Sequence, residues 1–128
     1  MIYVSNTILS YMSLLERIPM TREFVHTKPF RNTWNAMGLD DDDLKQLEEI
    51  LLQNPQRGDV IPGTGGARKL RIRLEGRGKS GGGRVIYLDI FETEKLYFLL
   101  AYPKNVQENL TPEQTKILKN LVDAIKKE

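Results

Sequence analysis

Seven cations stand between positions 68 and 84: Arg68, Lys69, Arg71, Arg73, Arg77, Lys79 and Arg84, with Glu75 as the only anion among them. That stretch carries +6, whereas the whole chain carries +2, so the remainder is mildly acidic. A solvated charged face is the ordinary reading of such a run. Here, however, nine of the ten glycines lie between positions 58 and 83, in and beside the run. Glycine lets backbone approach a ligand closely. Cations set in open backbone form an electrostatic footprint for a polyanion, and phosphate is the anion they suit best.

Other chemistries are poorly supplied. The chain has no cysteine, which excludes a disulfide framework, a thiol nucleophile and any Cys-based metal site. A chain without cysteine also fits a reducing cytoplasm. A single histidine, His26, makes a paired-histidine nuclease or a histidine metal cage a poor fit, and neither metal nor cofactor is expected. His26 reads as structural. Gly78-Lys79-Ser80 lacks the earlier glycine and the following helix of a nucleotide-binding P-loop. Gly63-Thr64-Gly65-Gly66 lacks the strand and helix of a dinucleotide fingerprint. The acidic run Asp40 to Asp43 could hold a metal, but it reads better as a cap and first turn of a helix, since Leu44, Leu47, Ile50 and Leu51 follow at helical spacing.

The elements that must carry the cations follow from periodicity. Leu70, Ile72 and Leu74 alternate with Lys69, Arg71 and Arg73, which predicts a strand with one face in the core and three cations on the other. Gly76 to Gly83 is a cationic loop, Arg84 to Phe91 a second strand, Glu92 to Lys95 a tight turn. Leu96 to Tyr102 is a third strand, apolar on both faces and therefore central. Connections this short make an antiparallel meander. Upstream, Thr21 to Thr27 reads as a strand, Phe30 to Met37 as a short helix stopped at Gly38, and the run after Asp40 as a helix ending before Asn54-Pro55. Thr111-Pro112-Glu113-Gln114 opens a last helix with a capping box, and Ile117, Leu118, Leu121, Val122 and Ile125 form its apolar stripe. The expected fold is α+β: a small twisted antiparallel sheet with N-terminal helices and a C-terminal helix. At 128 residues one core is expected. Residues 1–19 read as an N-terminal extension, either an extra helix or a start placed too far upstream of Met20. No apolar run approaches the roughly 18–20 residues of a membrane span.

Several spaced motifs carry a resemblance in order. They are Gly58-Asp59-Val60-Ile61-Pro62-Gly63-Thr64-Gly65-Gly66, Arg68-Lys69-Leu70-Arg71, Gly78 to Tyr87, Tyr97-Phe98-Leu99-Leu100, Tyr102-Pro103-Lys104-Asn105 and Leu110-Thr111-Pro112-Glu113-Gln114. Over residues 20–127 or so the chain resembles the RelE/HigB toxins of type II toxin–antitoxin systems. The resemblance implies a RelE-like fold over residues 20–128 and a ribosome-dependent endoribonuclease that cuts mRNA by 2′-hydroxyl attack. It also implies a cognate antitoxin, usually a helix-turn-helix protein, through which alone operator DNA would be contacted. On that reading Arg84 matches the family's central arginine, Lys69 and Arg71 bind substrate or protonate the leaving oxygen, and Tyr102 stacks on a base or shares a proton. Arg68, Arg73, Arg77, Lys79 and Lys104 hold RNA backbone. Two other classes remain open: a ParE-like toxin that inhibits DNA gyrase without cutting RNA, and an inactive module that binds RNA or the antitoxin.

Overall fold

The structure, a computed structural model, describes the backbone of residues 2–10, 19 and 20, and residues 21–73 and 82–128 in full. The elements in chain order are β1 (Ile2–Ser10), β2 (Pro19–His26), α1 (Lys28–Ala36), α2 (Asp41–Gln53), β3 (Asp59–Val60), β4 (Arg68–Ile72), β5 (Gly83–Ile90), β6 (Lys95–Pro103) and α3 (Pro112–Lys126). The strands form one sheet in the order β1-β2-β6-β5-β4-β3. β4, β5 and β6 are the expected antiparallel meander, and β6 is central, between β5 and β2. The sheet is nonetheless mixed, because β2 runs parallel to β6. Helices α1 and α2 lie between these two strands in sequence and supply the crossover that a parallel pair requires. Residues 2–10 form a strand antiparallel to β2, where an extra helix was one expectation.

Two cores share the sheet. On one side Trp34, Leu44, Leu47 and Leu51 of the helical hairpin pack with Phe24, Leu70, Val85, Tyr87 and Phe98. On the other side Leu118, Val122 and Ile125 of α3 pack with Ile86, Leu88, Tyr97, Leu99 and Tyr102. The hairpin starts where Thr27 Oγ1 accepts from the Phe30 amide and donates to the Leu99 carbonyl at 3.0 Å, so one hydroxyl caps α1 and docks it on β6. Asp40 and Asp43 form a reciprocal capping box at the head of α2, which is what the acidic run does in the fold.

His26 is buried on the hairpin side between Phe30 and Phe98, with Nε2 3.3 Å from Glu48 Oε2. Burial pushes the Glu48 carboxyl above its ordinary 4.5, against the opposing pull of His26. A carboxyl raised in the folded state binds more protons there than in the unfolded chain. Its contribution to stability is therefore favourable at acid pH and lost as pH climbs from 4.5 through the raised value. Glu48→Gln should flatten that decline: urea midpoints measured from about pH 4 to about pH 8 should slope less in the variant than in the parent. An unchanged slope would place the pH dependence elsewhere.

Candidate functional site

The ladder registers decide which side chains share a face. Arg71 pairs with Arg84 across β4 and β5, and Arg84 pairs with Tyr102 across β5 and β6. Directly paired residues project to the same side of a sheet. Lys69, two residues from Arg71, pairs with Ile86, which belongs to the α3-side core. Arg71, Arg84 and Tyr102 thus form one row across three strands, with Lys69 beside it, all on the α3 face.

Tyr102 reaches that face because of a β-bulge. Phe98 pairs with Tyr87 and Leu100 with Ile86, so Leu99 is an extra residue opposite the β5 ladder. Leu99 and Leu100 both join the α3-side core, and the alternation resumes one step out of phase. With regular alternation from Phe98, Tyr102 would face the helical hairpin instead.

Arg84 is 4% exposed. Its Nη1 donates to the Gly83 carbonyl at 3.0 Å, and its Nη2 donates to Glu108 Oε1 and Oε2 at 2.8 and 2.9 Å. Its Nε, also buried, has no hydrogen-bond partner among the described residues. Hydrogen bonding to Arg84, then the charges of Arg84, Lys104 and Lys69, hold the Glu108 carboxyl below the usual range, so it is ionised at neutral pH. Two guanidiniums directly opposite each other repel; the Glu108 carboxylate neutralises the Arg84 member of the pair.

Glu108 was not among the residues singled out from sequence. The signal was present: it is the sole acid between Tyr102 and Thr111, four residues after Lys104. Its segment is held at several points. Lys69 Nζ donates to Asn109 Oδ1 at 3.0 Å. Gln107 Nε2 donates to Gln114 Oε1 at 2.9 Å, and Gln114 completes the α3 capping box with Thr111. Tyr102 Oη lies 3.4 Å from the Glu108 carbonyl oxygen. At the root of the segment, the Lys104 amide donates to the Gly82 carbonyl at 3.1 Å. Gly82 sits at φ +71°, where a Cβ would also strike the Ile72 carbonyl oxygen, so glycine is required beside Arg84.

The remaining expected residues fall as follows. Arg71 is exposed; Lys69 is half-buried, and with Arg71, Asn109, Leu110 and Thr115 it lines a groove of about 290 Å³. Tyr102 is 5% exposed, so its ring is packed rather than offered to a base, and burial first among the causes raises its phenol above the ordinary value. Lys104 is exposed beside Glu108. Arg68 pairs with Tyr87 and so belongs to the hairpin side, where its Nη1 donates to the Gln56 and Gly58 carbonyls at 3.2 and 2.8 Å. Arg73 lies exposed just beyond the end of β4. Arg77 and Lys79 lie outside the described residues. Within those residues, no His/Asp/Glu group could hold a metal, and no helix is long and apolar enough to cross a membrane.

A small α+β domain with a cationic row on its meander is the class that this fold and site define. Residues 23–127 match the family model described as the RelE toxin of the RelE/RelB toxin–antitoxin system. The chain belongs to the RelE toxin family. A solved structure of the E. coli toxin RelE, in the free state and carrying two arginine-to-alanine substitutions, is 18% identical. It matches with a TM-score of 0.47 over 66% of this chain and 85% of that one. The family assignment rests on the sequence match.

Proposed function

We propose that this chain is the toxin of a type II toxin–antitoxin pair and acts as a ribosome-dependent endoribonuclease on mRNA. The observation that supports this reading best is the convergence of Arg84, Lys69 and Lys104 around one anionic seat, held in the free protein by Glu108, with Arg71 opposite Arg84 on β4. In the reaction, the 2′-hydroxyl of one nucleotide gives up its proton to solvent as its oxygen attacks its own 3′-phosphorus, while the bond from phosphorus to the next nucleotide's 5′-oxygen breaks and that oxygen takes up a proton. The products are a cyclic phosphate, or the 3′-phosphate it hydrolyses to, and a 5′-hydroxyl. Charge gathers on the phosphoryl oxygens, and a fixed guanidinium stabilises it best, because it needs no reorganisation at the moment of reaction. Arg84 has that role. Lys69 or Arg71 holds the substrate or returns a proton to the leaving 5′-oxygen. Tyr102, packed and protonated, positions the 108 segment and Arg84 through its cross-strand pairing. Arg73, Arg77, Lys79 and Lys104 neutralise RNA backbone, a role for which Arg68 is turned the wrong way.

The toxin domain is residues 20–128, with residues 1–19 as an N-terminal extension whose strand widens the sheet by one. A cognate helix-turn-helix antitoxin keeps the toxin inactive in the cytoplasm and carries the contact with operator DNA. Induced expression followed by mapping of mRNA 5′ ends tests the function. New ends inside translated codons are expected within minutes. Intact mRNA accompanied by a supercoiling defect would move the chain to the gyrase-inhibiting class, and intact mRNA with neither defect would leave a binding module.

A further inference from the structure

We propose that Glu108 is a displaceable stand-in for the phosphate that Arg84 binds, and that the incoming anion takes the guanidinium edge Glu108 leaves half-used. This rests on the reading of Arg84 as the phosphate-binding group. The protein holds two buried arginines whose ion pairs differ. Arg22, also 4% exposed, meets Asp89 through the full side-on fork: Nε to Oδ1 at 2.7 Å and Nη2 to Oδ2 at 3.2 Å. That is the two-nitrogen, two-oxygen geometry in which guanidinium and oxyanion match. Arg84 has the same edge but does not use it so. Both Glu108 oxygens crowd onto Nη2, and Nε is left buried without an acceptor among the described residues. A buried donor without an acceptor is costly, more so on a charged group. A phosphate with two non-bridging oxygens across Nε and Nη2 would satisfy both.

The two partners also differ in freedom. The Arg84 side chain is 4% exposed and the Glu108 side chain 42%. The carboxylate can therefore swing into water while the guanidinium stays. Once it leaves, Arg84, Lys69 and Lys104 face a vacated seat that Asp59, opposite Lys69 on β3, offsets only in part, and the field there turns more positive. Glu108 thus sets the affinity threshold of the site: a free anion displaces it only at high concentration, whereas a phosphodiester supported by neighbouring cations does so at low concentration.

The test uses the full chain and a short, fully 2′-O-methylated RNA that cannot be cut, with affinity read by fluorescence anisotropy. Glu108→Gln should bind about tenfold more tightly than the parent, the size expected when one charge-assisted competitor is removed. Glu108→Ala, with no side-chain acceptor at all, should do at least as well. Glu113→Gln makes the same change of charge in the exposed first turn of α3 and should shift affinity less than about twofold. In parallel, the Arg84 Nε–Hε resonance should move on titration with inorganic phosphate, and at lower phosphate in Glu108→Gln. Equal or weaker RNA binding by both Glu108 variants would overturn the proposal, as would equal tightening by Glu113→Gln. Tighter binding with uncut mRNA in cells would keep the stand-in and discard the nuclease. Cut mRNA with unchanged affinity in the Glu108 variants would do the reverse.

Discussion

Arg84→Ala is expected to lower the rate of mRNA cutting by about 10²–10³-fold and to abolish growth inhibition, with the protein still folded. The size follows from where the arginine stands. It is buried, fixed by the Gly83 carbonyl on one side and by an anion on the other, and so it is oriented before any substrate arrives. Such a donor acts on developing charge without first being ordered. The fold should survive because Arg84 itself belongs to neither core. The two hydrophobic cores close around other side chains, and the alanine removes a buried donor that has no partner among the described residues. Arg84→Lys should recover little, since an ammonium offers no two-nitrogen edge. The comparison needs mRNA end mapping, a thermal melt and antitoxin pull-down on the same preparations. If Arg84→Ala stays as toxic as the parent, another group must carry the phosphoryl charge and the proposed centre is wrong.

The contrast between Arg84 and its neighbours shows what a sequence can and cannot say about such a row. The alternation over residues 69–73 was legible because side-chain direction in a strand repeats every two residues. It placed Lys69 and Arg71 on the face opposite Leu70, as the ladder with β5 does. The same rule fails on β6. The bulge at Leu99 costs no unusual residue type: Leu99 and Leu100 are both ordinary strand leucines, and nothing in the run from Leu96 to Tyr102 announces a phase change. Yet that one extra residue brings Tyr102 to Arg84.

Long-range partners were equally silent. Parallel pairing of β2 with β6 joins residues about 70 positions apart, and local periodicity carries no term for it. Glu108 lies 24 residues from Arg84, in a segment without regular structure. Its role comes from where α3 begins. Thr111 and Gln114 fix the head of the helix, Gln107 is tied to Gln114, and the carboxylate is delivered to the row as a consequence. The capping box itself was readable in Thr111-Pro112-Glu113-Gln114, but what it positions was not.

A second substitution should silence the protein by an unrelated route. Phe98→Ala is expected to destabilise the fold by about 3–5 kcal/mol, as truncation of a fully buried phenylalanine does. Phe98 is 0% exposed on central strand β6. Its ring centroid lies 5.0 Å from Phe30, 5.8 Å from Phe24 and 5.4 Å from His26, so one side chain joins α1, β2 and β6. Those three elements form the parallel half of the sheet and its crossover, which no local hairpin holds together. The loss is a large share of the ~5–15 kcal/mol by which domains of this kind are stable. The melting temperature should drop by on the order of 10–20 °C. In urea, the midpoint should fall with the slope unchanged if the two-state transition is kept. Toxicity should then disappear at 37 °C and return at lower temperature, where enough of the chain is folded. Arg84→Ala should show the opposite pattern, an unaltered melt with no cutting at any temperature, because it removes charge stabilisation and leaves the packing in place. Should Phe98→Ala melt with the parent, the aromatic cluster would not be what fastens α1 and β2 to the meander, and the cationic row would have to be held by the α3 side alone.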